Sequence, residues 1–322
     1  MRLSRTRRLP PYVHGLIGAS LALCLAGPAA AQPGAERTPL QVEDLFDLET
    51  VADPQISPDG RQVVYVRQRA DVMTDGRFSN LWIVGTDGTG HRPLTSGDHG
   101  DGSPRWSPDG TRLAFVSDRG GTAQIHVRWM DTGETSEITN LTEAPSNIAW
   151  SPDGRHIAFG KLVPAPAPSI EGMPEPPPGA EWAEPARVVE RLVYRFDQMG
   201  YLPHGFQHVF VVPAEGGTPR QITSGDTHWG GIGIGGAAFS WSHDGEYLLL
   251  SRDPTPSEEE IFVADTEVFE VRVSDGAVRQ LTDRDGPDDA PVASPDGRHI
   301  AYFGMDDRFQ GYQLTHLYVM NR

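Results

Sequence analysis

From residue 50 onward the apolar positions come in short runs rich in valine, isoleucine, leucine and aromatics, separated by clusters of proline, aspartate, glycine, serine and threonine. Runs this short, bounded by turn formers, predict strands rather than helices. One cluster recurs. Ser-Pro-Asp-Gly stands at 57–60, 107–110, 151–154 and 294–297, with a near-copy, Ser242-His243-Asp244-Gly245, between the last two. Serine, proline with its fixed φ, and a closing glycine are the preferences of a type I turn, so each copy closes a hairpin. Before it lies Ile56, Trp106, Trp150, Trp241 or the smaller Ala293, and after it come the β-forming runs 63–66, 113–116, 157–159, 247–250 and 300–303.

A third strand is expected at 81–84, 125–129, 209–212, 268–273 and 317–320, and a fourth ends in Leu94-Thr95, Ile138-Thr139, Ile222-Thr223 and Leu281-Thr282. The distance from that threonine to the next turn serine is 12, 12, 19 and 12 residues, and the turn serines themselves are 50, 44, 91 and 52 apart. Units of this length with four strands each are propeller blades, whose sheets stack face to face around an axis. The expected fold is all-β: a β-propeller with four complete blades and a fifth that stops after its third strand, an incomplete ring. The alternative, a sandwich with coincidental turns, does not require a tetrapeptide at blade spacing.

Three segments depart from the formula. The long 91-residue interval holds an insertion at 162–207, in which eight of the 22 positions from Pro164 to Pro185 are proline. That half cannot pair in a sheet and reads as an extended loop. Its second half, with Val188, Val189, Leu192, Val193 and Phe196, suits a helix face or a strand equally. An excursion this long from one blade is a place for substrate or partner contact. The glycines at 230, 231, 233, 235 and 236 read as a flexible insertion, and 40–49 as a short acidic helix covering the bottom of the first blade.

The N-terminus changes the compartment. Arg2, Arg5, Arg7 and Arg8 precede the apolar run 16–26, and Ala29-Ala30-Ala31 precedes Gln32, so residues 1–31 read as a cleaved secretory signal peptide and 32–322 as the propeller domain. The apolar run is too short to serve as a membrane span. Cleavage removes the only cysteine and four arginines, leaving 23 basic against 44 acidic side chains, a charge of −21. Such a charge repels nucleic acid and keeps the protein soluble outside the cytoplasm, in the periplasm or medium, with no membrane contact after cleavage.

Catalytic motifs are sparse. No Gly-x-Ser-x-Gly nucleophile elbow occurs. His204 and His208 are four apart but lack the glutamate of a zinc helix and run into a strand. His156 and His299 occupy matching positions in two blades, which indicates packing. Asp283, Asp285, Asp288 and Asp289 crowd one loop, a solvated turn or, with its glycine two positions early, a calcium loop. Glu258-Glu259-Glu260 form an acidic run that is either an exposed loop or a seat for an ammonium group. No cofactor, metal or catalytic residue is assigned.

With these residues laid out, the chain resembles the N-terminal β-propeller of the prolyl oligopeptidase family of serine peptidases, in its acylaminoacyl peptidase and dipeptidyl aminopeptidase branch. The carriers are the opening "ADPQISPDG" at 52–60, the blade formula, "RLVYRFDQMGYL" at 191–202 and "VFVVPAEGGTPRQITSG" at 209–225. The blade formula is shared with the propeller of the Tol-Pal protein TolB, a protein-binding scaffold, which supplies the alternative function. The peptidase resemblance implies a propeller of about seven or eight blades capping a hydrolase domain that carries the catalytic triad. It implies for these residues the gating and contacting of peptide substrates, with peptides or a hydrolase domain as partners. In dipeptidyl peptidases a glutamate pair of the propeller holds the free amine. Glu258 and Glu259, together with Asp197 in the insertion, are accordingly the substrate-contact candidates.

Overall fold

The computed structural model describes residues 39–183, 186–197, 200–230, 239–255 and 265–322. Four antiparallel sheets of four strands and one of three follow one another along the chain, none closed on itself. The first is β1 (Thr50–Ile56), β2 (Gln62–Asp71), β3 (Gly76–Gly85) and β4 (Arg92–Pro93); the second is β5 (Asp101–Trp106), β6 (Arg112–Ser117), β7 (Gln124–Trp129) and β8 (Thr135–Glu137). The third begins with β9 (Ser146–Trp150) and β10 (His156–Pro164), is interrupted by the small hairpin β11 (Arg195–Phe196) and β12 (Gly200–Tyr201), and resumes with β13 (Gly205–Pro213) and β14 (Arg220–Gln221). The fourth is β15 (Ser240–Trp241), β16 (Tyr247–Arg252), β17 (Glu267–Arg272) and β18 (Val278–Gln280); the fifth is β19 (Asp288–Ala293), β20 (His299–Gly304) and β21 (His316–Asn321). The blade count read from the sequence, four full and one partial, is the count observed.

The repeated tetrapeptide is a hydrogen-bonded unit. Ser57 Oγ donates to Asp59 at 2.6 Å and accepts the Gln62 amide at 2.9 Å, while the Arg61 amide reaches the same Asp59 carboxylate. The pattern recurs at Ser107, Ser151, Ser242 and Ser294. The closing glycine sits at φ near +70° in every copy, for example 72° at Gly60, a region costly for any residue with a Cβ. The serine hydroxyl holds Asp59, Asp109, Asp153 and Asp296 below the ordinary carboxylate range; Asp244 is lowered too, although burial pushes it the other way.

The threonine of each fourth strand has an equally regular part. The amides of Leu81, Ile125, Val209 and Val268 donate to Thr95, Thr139, Thr223 and Thr282 Oγ1, each at 2.9 Å. A donor left over where the short outer strand ends is thereby satisfied inside the protein.

Packing between sheets follows from strand alternation. In the third sheet Ile148, Ile157, Phe159, Phe210 and Val212 face the second sheet with Ile125 and Val127, whereas Ala158, Val209 and Val211 face the fourth with Leu248, Leu250 and Phe269. The tryptophan before each turn reaches back one sheet: Trp106 Nε1 donates to Gln55 O at 3.1 Å, Trp150 to Arg105 O at 2.9 Å and Trp241 to Ala149 O at 3.1 Å. Ala293 has no such donor, and here the Ser240 hydroxyl joins Pro291 O at 2.8 Å instead. Each of the three indole acceptors lies two residues before a turn serine, so one repeat position docks on another.

The innermost strands carry a further regularity. Asp53, Ser103, Asn147 and Ala290, each four residues before a turn serine, have φ of 47°, 52°, 51° and 53°. In the first, second and fifth sheets the ladder shifts register at these residues. They are bulges, which twist the strand and re-aim its side chains.

Several expectations need correction. The segment 40–49 forms only a 3-10 turn, Val42–Phe46, with no buried residue, and Leu45 and Leu48 stay exposed rather than covering a blade. Five residues at three per turn stack their side chains too poorly to build an apolar face. The β10–β13 ladder pairs Pro164 with Gly205, so the excursion spans 165–204, narrower than 162–207. His156 and His299 have exposed side chains; what matches is the backbone amide that each gives to the turn serine. The segments 1–38, 231–238 and 256–264, with the signal peptide, most of the glycine-rich stretch and the Glu258-Glu259-Glu260 run, lie outside the described residues.

Candidate functional site

The excursion from the third sheet encloses the candidate site. Its root is fixed by Gly205, where a Cβ would stand 2.3 Å from Val163 O at a φ of +141°. Beyond it the chain folds back on itself: the Leu202 amide reaches Tyr194 O at 2.9 Å, Arg195 pairs with Tyr201, and the Tyr194 and Tyr201 rings lie 6.1 Å apart. The helix-or-strand ambiguity of 188–196 resolves into irregular chain ending in this two-residue strand pair. Between the hairpin, the proline-rich segment and the start of β9 lies a cavity of about 540 Å³. Val188, Val193, Leu202, Pro166 and Phe206 give it apolar walls, and Asn147, one of the left-handed bulge residues, stands at its rim.

The polar groups of the cavity include two arginines. Arg187 stacks on Tyr201 at 4.1 Å and Arg191 on Phe206 at 4.6 Å, each within cation–π range. Neither has a carboxylate within ion-pair distance among the described residues, although Glu190 also lines the wall. His228 enters from the connection after β14. Its Nδ1 accepts the Gln207 amide at 3.1 Å, and its Nε2 stands 3.1 Å from Arg191 Nη1. Burial, with the Arg191 charge adding to it, lowers its pKa to about 4, so the ring is neutral at physiological pH.

Of the sequence candidates, Asp197 is exposed at the turn after β11 and does not line this cavity. Glu258 and Glu259 fall outside the described residues. Among the described residues no group of acids, histidines or cysteines is arranged to hold a metal ion. His208 is buried instead, its Nδ1 beside Thr223 Oγ1 at 3.2 Å. Arg187, Arg191 and His228 were not singled out by sequence reasoning. The visible signal was arginine at 187, 191 and 195 on a chain of net charge −17, whereas nothing in the sequence ties His228 to them.

The aspartate-rich loop is solvated at Asp283, Asp285 and Asp289 but not at Asp288. Asp288 is fully buried, both its carboxyl oxygens lack a hydrogen-bond partner, and Arg284 Nε lies 3.4 Å away. Glu267, 3% exposed, accepts a short hydrogen bond from Thr282. Burial above all, and then the charges of Asp288, Asp265 and Asp283, raise its pKa to about 7 against the Thr282 hydroxyl, which lowers it. Burial likewise raises Asp288.

Sheets of this topology, linked through their inner strands, define a β-propeller. Residues 45–163 match the family model described as the TolB beta propeller domain, PD40. The chain is 29% identical over 221 residues to the uncharacterized peptidase YuxL of Bacillus subtilis, covering 68% of this chain and 32% of that protein. It is 26% identical over 314 residues to dipeptidyl-peptidase 5 of Porphyromonas gingivalis, covering 93% of this chain and 44% of the relative. The chain therefore spans less than half the length of either of these curated relatives. Among solved structures, Pyrococcus horikoshii acylaminoacyl peptidase superposes with a TM-score of 0.60 at 17% identity, over 86% of this chain and 40% of that one, and shares the fold. The resemblance read from the sequence is borne out in the β-propeller fold, in the match of residues 45–163 to the PD40 model, and in the peptidases among the chain's relatives.

Proposed function

We propose that this chain is the propeller portion of a secreted or periplasmic serine peptidase, contacting peptide substrates and restricting their access to a hydrolase domain, without catalysing hydrolysis itself. The observation that carries this reading is the dipeptidyl-peptidase 5 match, which runs along 93% of this chain yet occupies only 44% of the relative. The cavity under the 165–204 excursion supports it, because apolar and aromatic walls with a few convergent polar groups are what small-ligand sites use. Residues 1–31 serve as a cleaved signal peptide, and residues 32–322 act outside the cytoplasm. No helix among the described residues is long and apolar enough to cross a membrane.

The test uses purified protein beginning at Gln32, incubated with dipeptidyl and acyl-aminoacyl chromogenic substrates and with a fluorophosphonate probe for activated serines. Neither turnover nor labelling is expected, and either one overturns the non-catalytic role. A second reading, a protein-binding scaffold, is favoured by the description of the family model as a TolB propeller. Stable capture of a folded protein partner, with no affinity for short peptides, would decide for it.

A further inference from the structure

Two nitrogen donors face each other in the cavity of the third blade. The Gln207 amide points at His228 Nδ1, so that atom carries the lone pair and the single proton of the neutral ring sits on Nε2. Arg191 Nη1 is the neighbour of that Nε2, at 3.1 Å, and a guanidinium has only donors to offer. Neither group satisfies the other. Arg191 has no acid partner among the described residues, and Arg187, stacked on Tyr201 on the same wall, has none either. On a chain of net charge −17, a cavity whose wall carries two arginines free of acid partners among the described residues, against the single acid Glu190, is an island of opposite sign. Low-dielectric walls focus such a field on any anion that enters.

We propose that this cavity binds a carboxylate carried on an apolar peptide, with the oxygens bridging Arg191 Nη1 and His228 Nε2–H and Arg187 steering the charge inward. This rests on the reading that the third blade contacts peptides, and it adds which part of a peptide is held. Val188, Val193 and Leu202 then take up the neighbouring apolar side chain. Two N–H groups converging on one carboxylate, one of them charged, form the stronger kind of hydrogen bond and resolve the donor–donor confrontation. Because His228 donates as a neutral ring, binding does not require its protonation.

The experiment is isothermal titration calorimetry of the full chain with three probes: acetyl-Ala-Val-Leu as the free acid, the same peptide as its C-terminal amide, and acetyl-Ala-Glu-Leu amide. The free acid is expected to bind about tenfold or more tightly than its amide, the fold-change that one charge-assisted bond supports. Binding of the glutamate peptide as well assigns the site to any peptide carboxylate, and its failure assigns the site to the chain end; both outcomes support the proposal. Arg191→Gln is expected to erase the preference for acid over amide. Arg187→Gln is expected to weaken binding of the acid without abolishing the preference, with thermal melts checking that both variants fold. Affinity is expected to stay level between about pH 5 and 8, since His228 titrates near 4. Equal binding of acid and amide, or an Arg191→Gln variant that keeps the preference, overturns the carboxylate assignment and leaves peptide contact standing. Binding by none of the three overturns both.

Discussion

Glu267 shows how much one residue's surroundings govern its chemistry. It occupies the place that Gln124 and His208 hold in the second and third blades, one residue before the amide that donates to the fourth-strand threonine. An ionisable acid there pays for burial with its charge, and the carboxyls of Asp288, Asp265 and Asp283 add to the pressure. Its folded pKa of about 7 lies above the value of about 4.3 expected in the unfolded chain. Stability from the protonated acid is therefore complete below about pH 4 and declines as pH rises toward 7, because the unfolded state releases the proton first. The turn aspartates, whose pKa values are depressed, act in the opposite sense and withdraw their contribution as pH falls below about 4. Thermal melts across this range are expected to show a midpoint falling between about pH 4.5 and 7, and Glu267→Gln is expected to flatten that fall. A wild-type midpoint that is level over the same interval would refute the raised pKa.

Between elements, the indole of each turn-preceding tryptophan joins neighbouring sheets. Trp150 is 8% exposed and donates to Arg105 O in the second sheet, while Arg112 lies over its ring at 4.9 Å. Trp150→Phe keeps most of the apolar contact but leaves that carbonyl without its donor. A loss of about 1 kcal/mol or somewhat more in unfolding free energy is expected, measured by urea denaturation. A loss within a few tenths would mean that water replaces the indole at no cost. The elements themselves were legible in the sequence because Ser-Pro-Asp-Gly names its own hydrogen bonds: Ser57, Asp59 and Gly60 satisfy one another within the hairpin they close. The same holds for Leu94-Thr95, whose threonine serves an amide 14 residues back. What could not be read is whatever depends on partners from other elements. Asp288 passes for a solvated turn residue until β17 and the Arg284 segment enclose it, and His228 looks like a loop histidine until Arg191 arrives from the excursion. The left-handed Asp53, Ser103, Asn147 and Ala290 share a position but no residue type, so composition carried no trace of them.

At the scale of the whole molecule, the sheets follow one another through their inner strands, from β1 to β5, β9, β15 and β19. The two outermost sheets each show an apolar face. On the fifth, Val292, Phe303, Leu317 and Val319 share one side and are 54%, 50%, 63% and 64% exposed. On the first, Val51 and Ile56 lie opposite the buried Val64 and Val66, exposed by 71% and 66%. Clustered exposure of this kind marks an interaction surface or an aggregation liability. The protein is expected to self-associate with rising concentration in sedimentation velocity, and Leu317→Lys with Val319→Lys is expected to shift it toward the monomer. A sharp monomer boundary for the unsubstituted chain at high concentration would contradict this.

The tryptophan links have a direction. Each indole on the second, third or fourth sheet reaches toward a carbonyl that precedes it in the chain, at Gln55, Arg105 and Ala149. During synthesis from the N-terminus, every acceptor has therefore left the ribosome before its donor. For these three links the nascent polypeptide does not wait for a later module, and growth and docking advance in the same vectorial order; the Ser240 hydroxyl, by contrast, has to wait for Pro291.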